Sequence, residues 1–381
     1  MTMAVRRAGF LAAALCGVLL LAPSSPGMAE TAGPGRAEAL NGLLDAALED
    51  HSIPAMTVLV IRDGKIAGQA VRGVRAADSP DPARIDDAWH IGSDAKAMTA
   101  TMIARLVERG TLSWTTPLRT LLPGVRMRPE YQDLTLIELL SHRAGLRDLD
   151  DTVDAKMIAD AFADTRPLPR QRQAFAMTVL NEAPIGPARA ASVYSNSDYV
   201  LAGAIAEQAT GKSFETLVQE QVFVPLGMKV EFSASRRGQV LGHLAGKPLT
   251  GPKSDNPRLF GPAGEVKLTM HDWALFAIDQ MAGEKGQGRL LKQDTYRLLH
   301  TSQGDTNAAL GWGVKTDWPK DAPIRMLTHA GSNGYWNALI ALAPDHAGGV
   351  LIAANAAEGT DVQKRQTAIL LKLMTGIVKV Q

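Results

Sequence analysis

Short β-rich runs lie near both ends of the chain, with helical spacing of apolar residues between them. Leu40, Leu43, Leu44, Ala47 and Leu48 recur every three to four residues, which predicts a helix over Ala37–Asp50. Met56–Ile61 and Ile66–Val71 follow as strands. Asp63-Gly64 separates them, and this dipeptide favours a two-residue hairpin because both of its positions accept positive φ. Trp336–Leu342 and Val350–Ala354 read as a second strand pair, joined by Pro344–Gly349, and Gln363–Leu373 as a terminal helix. In the middle, Ala97–Val107, Leu134–Leu140, Tyr199–Ala209, Phe214–Val222 and His271–Ala282 read as helices, while Asp150–Ala190 reads as irregular, Pro-containing and placed to fold over a site. Strands at the ends and helices between predict an α+β fold. One antiparallel sheet is formed by both chain ends with flanking helices, an all-helical region is inserted, and the site lies at their seam. The α/β part is expected over about 37–90 and 290–381, the helical part over about 91–289. No repeat of the solenoid type is visible.

The N-terminus reads as a secretory signal. Arg6 and Arg7 precede the apolar run Phe10–Ala22, then Pro23–Gly27 breaks any helix, and Gly27-Met28-Ala29 offers a small-x-small cleavage site. An uncleaved anchor is the alternative. A lipoprotein reading on Cys16 is weaker, because Leu15 precedes it and apolar residues follow. Residues 1–29 are therefore expected to leave, with residues 30–381 forming an exported domain, periplasmic or secreted. The leader takes with it two Arg and the one Cys. The remaining charge is close to balanced, which gives no electrostatic reason for nucleic acid or an anionic membrane as partner. Without cysteine, a thiol nucleophile, a thiolate zinc site and a disulfide framework are excluded. An apolar content of 46% is enough for a packed core instead.

Three short motifs carry the chemistry. Ser93-Asp94-Ala95-Lys96 places a lysine one helical turn from a serine at a helix start, on the same face. Alone, such a serine reads as a helix N-cap. A serine hydroxyl becomes a nucleophile when a neighbouring base takes its proton, and a lysine is such a base when burial or a nearby cation lowers its pKa. Tyr194-Ser195-Asn196 stands before the helix Tyr199–Ala209. It reads either as a capping turn or as a second proton-transfer group, in which a Tyr194 phenolate stabilised by Lys96 shares the base role and Asn196 bonds the substrate amide or Lys96. His329-Ala330-Gly331-Ser332 is expected just ahead of the strand near Trp336. Gly331 lets substrate backbone approach closely, and the Ser332 N–H would complete an oxyanion hole with that of Ser93.

These motifs resemble those of the β-lactamase-related serine hydrolases: class C β-lactamases, D-alanyl-D-alanine carboxypeptidases, D-aminopeptidases and the esterases that share their fold. The resemblance extends through Trp89–Leu118, Leu134–Leu146, Val193–Gly211, Pro225-Leu226-Gly227-Met228, Gly261–Gly264 with Asp272, Leu310-Gly311-Trp312-Gly313 and His329–Asn355. It implies a β-lactamase/D,D-peptidase-like fold, with Ser93 as nucleophile, Lys96 and Tyr194 as activating partners, Asn196 orienting substrate and His329 at the third-motif position. It implies neither cofactor nor metal, a small ester, amide or β-lactam substrate (possibly peptidoglycan-derived), and no particular oligomeric state.

One departure bears on substrate. The β-lactamases usually carry Lys-Thr-Gly where this chain has His329-Ala330-Gly331. Lysine and threonine suit a carboxylate; a neutral histidine and an alanine do not. The expected activity is therefore esterase-like, with β-lactamase, D-alanyl-D-alanine carboxypeptidase or D-aminopeptidase as the alternative and a non-catalytic binding protein as a remote one. Protonation of His329 as pH falls from about 8 to about 6 is expected to restore some preference for carboxylates. A zinc hydrolase of the H-E-x-x-H type and a nucleophile-elbow hydrolase are disfavoured, because neither H-E-x-x-H nor G-x-S-x-G occurs.

Overall fold

The computed structural model describes residues 34–149, 153–232, 235–357 and 361–378. The leader and its cleavage site lie outside the described residues. Strands β1 (Ala55–Arg62) and β2 (Lys65–Gly73) form the expected hairpin, with Asp63 at φ 51° and Gly64 at φ 68°. From the other end come β3 (Gly313–Trp318), β4 (Ile324–Ser332), β5 (Asn337–Ala343) and β6 (Gly348–Ala354). They complete a six-stranded sheet of order β2-β1-β6-β5-β4-β3, antiparallel throughout. Val58 pairs with Ile352 at its centre, so the two ends of the chain close one sheet.

The apolar runs of β1 and β6 are continuous rather than alternating because both faces of these strands are covered. Leu59, Ile61, Leu351 and Ala353 face the helical region. Val58, Val60, Val350 and Ile352 face the other way, into a second core. The helices that complete the molecule are α1 (Pro34–Ala47), α2 (Lys96–Glu108), α3 (Asn196–Thr210) and α4 (Val362–Val378). α1 and α4 close the second core through Leu40, Leu44, Ile369 and Leu370. α2 and α3 lie inside the larger one, and almost every residue from Lys96 to Leu106 is buried.

Two features depart from the sequence reading. His329-Ala330-Gly331-Ser332 does not precede a strand; it is the last part of β4. β4 and its neighbour β3 give no β-rich run in the sequence, because β3 is the sheet edge and shows polar residues such as Lys315, Thr316 and Asp317 to solvent. Asp150–Ala190 is not irregular either. It contains helices Ala155–Ala163 and Leu168–Val179, and Pro169 sits in the first turn of the second, where its missing N–H costs no helical bond.

Arg172, fully buried, ties this segment to the core. It lies 2.6 Å from Glu207 on α3 and 2.5 Å from Glu215, and donates further to the carbonyls of Arg258 and Leu259. Arg172→Ala strands buried carboxylate at the junction and is expected to destabilise the protein by about 3–5 kcal/mol in urea titration. A loss under about 1 kcal/mol would show that the pairing holds nothing together.

Candidate active site

Ser93 sits in a 3₁₀ turn, Gly92–Ala95, that runs directly into α2. Its side chain caps no helix, so its hydroxyl is left for other contacts. The turn is held from below by a part of the chain that sequence reasoning did not single out. The Gly92 N–H donates to His90 Nδ1 at 3.0 Å, and His90 Nε2 lies 2.9 Å from Asp255. Asn333 and Lys267 hold Asp255 in turn, at 3.0 and 3.3 Å.

Gly92 and Gly331 bring this turn against β4. Gly92 has φ 50°, and a Cβ there would fall 2.4 Å from the Ser332 nitrogen. A Cβ on Gly331 would fall 2.0 Å from the Ile91 carbonyl and 2.8 Å from the Ser93 nitrogen. No side chain fits either place, and the backbone amides of Ser93 and Ser332 come to the same small region as a result.

Lys96 is fully buried at the start of α2. Its Nζ donates to Ser93 Oγ at 3.0 Å, to Asn196 Oδ1 at 2.7 Å and to the Ala263 carbonyl at 2.7 Å. An ammonium has three donors, and each has an acceptor. Burial nevertheless lowers its pKa to about 7, against the opposing pull of Asp148, Asp198 and Asp94.

Tyr194 leaves its ring 43% exposed but turns its hydroxyl inward, where it donates to Ser93 Oγ at 2.5 Å. Lys96 Nζ lies 4.8 Å from the ring centroid. Desolvation of the hydroxyl raises the Tyr194 pKa, so the resting side chain is a neutral phenol. The phenolate expected from the proximity of Lys96 is therefore not the resting form. Ser195 caps α3 by accepting from the Ser197 N–H, which aims Asn196 at Lys96.

Three further residues complete the surroundings. Asp148 accepts from the Asn196 backbone N–H at 2.8 Å and from its Nδ2 at 3.1 Å, which turns the amide oxygen towards Lys96. His142 packs under the Tyr194 ring at 4.6 Å between centroids, with Nδ1 2.9 Å from Asp198. Burial pushes the Asp198 carboxyl up and the imidazole down, leaving the pair uncharged. Asp94 is buried with neither carboxylate oxygen hydrogen-bonded, and lies 3.9 Å from His329 Nδ1. Burial raises the Asp94 carboxyl far above its usual range. Of these three, only His142 fell within a quoted resemblance segment, and no local spacing links any of them to Ser93.

His329 reaches the site from β4, with Nδ1 donating to the Ala330 carbonyl at 3.0 Å. Burial, and then the nearby Lys96 charge, hold its pKa down at about 3. The expected gain of a proton between pH 8 and 6 is thus overturned, and with it the expected shift towards carboxylate substrates. Among the described residues no group of three or more His, Cys, Asp or Glu is arranged to hold a metal ion. A cavity of about 110 Å³ opens over Ser93 and Asn196, walled by Leu149, Ile158 and Phe260, so the segment expected to fold over the site does reach it.

This arrangement has counterparts among known proteins. The chain is 27% identical over 289 residues to penicillin-binding protein 4 of Amycolatopsis lactamdurans, covering 71% of this chain and 72% of that protein. It is 27% identical over 200 residues to the esterase EstB of Burkholderia gladioli, half of each chain. The octameric penicillin-binding protein homologue from Pyrococcus abyssi shares the fold with a TM-score of 0.69 at 22% identity, over 84% of this chain and 73% of that one. The family model described as Beta-lactamase matches residues 40–374, and on that extent the chain belongs to the Beta-lactamase family of serine hydrolases.

Proposed function

We propose that this protein is an exported hydrolase that cleaves ester or amide bonds through an acyl-Ser93 intermediate, with esters as its better substrates. One observation carries the reading: Ser93 Oγ lies between Lys96 Nζ at 3.0 Å and the Tyr194 hydroxyl at 2.5 Å. With its pKa near 7, Lys96 is present as the free amine in a substantial fraction at neutral pH. That amine takes the Ser93 proton as Oγ attacks the substrate carbonyl. The Ser93 and Ser332 amides receive the negative charge that develops on the carbonyl oxygen. Tyr194, a phenol close to Oγ, hands a proton to the departing alcohol or amine. Asn196, held by Asp148, keeps Lys96 in line and offers its amide to substrate. Water then releases the acyl group by the same path in reverse. The N-terminal leader supports delivery to the periplasm or beyond.

Esters are favoured because His329 is held neutral and Ala330 has no donor, so the third-motif position offers a substrate carboxylate no charge. The test is kcat/KM on purified protein for p-nitrophenyl butyrate, nitrocefin, a D-Ala-D-Ala peptide and a D-amino-acid amide, with Ser93→Ala as blank. The butyrate should lead, and Ser93→Ala should lose both turnover and fluorophosphonate labelling while staying folded. Preference for nitrocefin, unmoved by the double change His329→Lys and Ala330→Thr, would move the assignment to β-lactam hydrolysis. Labelling that survives in Ser93→Ala would point to another nucleophile.

Lys96 sets the pH dependence. Its protonated form is inactive as a base, so kcat/KM should fall about tenfold per unit below pH 7 and level off above it. His329 adds no limb between pH 6 and 8, because its pKa lies far below. A flat profile from pH 5 to 9 is incompatible with Lys96 as the base. Lys96→Ala and Tyr194→Phe should each cost on the order of a hundredfold to ten-thousandfold in kcat. The pair together should cost little more than the worse of the two, since both act on one proton.

A further inference from the structure

The catalytic serine has unequal space on its two sides. Towards Asn196 the cavity is only about 110 Å³. Beyond Tyr194 and His329 a second cavity of about 750 Å³ begins and does not stop at the catalytic cleft. β3 starts at Gly313, opposite Thr328, so the end of β4 from His329 onward has no strand on its outer side. The cavity passes over this open edge and continues on the opposite face of the sheet, between β3 and α4. There its lining is Trp318, Met326, Leu339, Ala341, Leu370 and Leu371. Met326, Ala341 and Leu370 belong to the second core, and Leu339, Leu371 and Trp318 pack on it while staying partly open. Charge appears in the trough only as Lys315, Asp317 and Lys320, all exposed. The entrance is also uncharged: a neutral imidazole, an exposed alanine at 330 and the Tyr194 ring.

We infer that this trough is the binding site for a long apolar chain of the substrate, an alkyl chain carried on the acyl or the alcohol side of the scissile bond. The inference deepens the hydrolase reading and rests on it for the position of the scissile bond. Its independent support is the continuity of one cavity from Tyr194 and His329 to the apolar floor, at a volume typical of ligand sites. A short ester leaves the floor wet. Each further methylene that enters leaves water, and full burial of one is worth about fourfold in affinity.

The experiment measures kcat/KM for p-nitrophenyl esters from acetate to dodecanoate, and in parallel for acetate esters of alcohols of rising length. One of the two series should rise by at least about tenfold before it levels off, because only part of each methylene is buried. Leu371→Glu puts a charge on the trough wall and should lower the ratio of the long to the short ester by about tenfold or more. Thr367→Trp, at an exposed position of α4, fills the trough without touching the core and should shift the optimum to shorter chains. Two flat series, or ratios that both variants leave unchanged, overturn the inference even where acetate is turned over. Titration of Ser93→Ala protein with decanol, read by tryptophan fluorescence through Trp312 and Trp318, separates the two readings. Decanol binding that Leu371→Glu weakens, in a protein that hydrolyses no ester, keeps the trough and removes the esterase assignment. Absence of decanol binding removes the trough alone.

Discussion

The ammonium of Lys96 has no access to water, and much of the architecture follows from what a buried cation needs. An unpaired charge at that depth costs several kcal/mol or more. It is tolerated because Ser93, Asn196 and the Ala263 carbonyl each accept one of its protons. These acceptors come from the start of α2, the start of α3 and a turn far along the chain, so the helical region must close correctly before the lysine is satisfied. The same burial brings the pKa to about 7, where the amine is available as a base. Stability and reactivity thus pull in opposite directions on one side chain, and three hydrogen bonds hold the balance.

A second constraint is steric. The turn carrying Ser93 and the end of β4 approach so closely that only glycine fits at 92 and 331. This contact joins the sheet, made from the chain ends, to the helical region between them. His90 and Asp255 brace the turn on its other side, so the nucleophile is set by the packing of three separate segments. Arg172 does similar work further out, where it anchors the helices that wall the small cavity.

The third-motif strand decides what kind of substrate suits this machinery. A histidine kept neutral by burial and an alanine with an exposed methyl make the far side of the serine uncharged. The open edge of β4 then leads on to an apolar floor under α4. Polarity and shape agree on that side: a group with a carboxylate meets nothing to pair with, and a hydrocarbon meets leucine, methionine and tryptophan.

The central strands β1 and β6 and the hairpin at Asp63-Gly64 were legible from local sequence, because continuous apolar runs and a turn dipeptide are short-range signals. The helices α2 and α3 were legible from spacing, and Ser93, Lys96, Tyr194 and Asn196 from short motifs and their resemblance to a known family. β3 and β4 were not legible, because an edge strand and a strand lined by a binding cleft lack the apolar pattern that marks a covered one. Nor were Asp94, Asp148 and Asp198, whose importance lies in contacts across the fold rather than in their neighbours in sequence. The protonation states were hidden for the same reason. A lysine and a histidine read from sequence carry their solution pKa values, and only the tertiary structure removes the water and sets the neighbouring charges that bring Lys96 to about 7 and His329 to about 3.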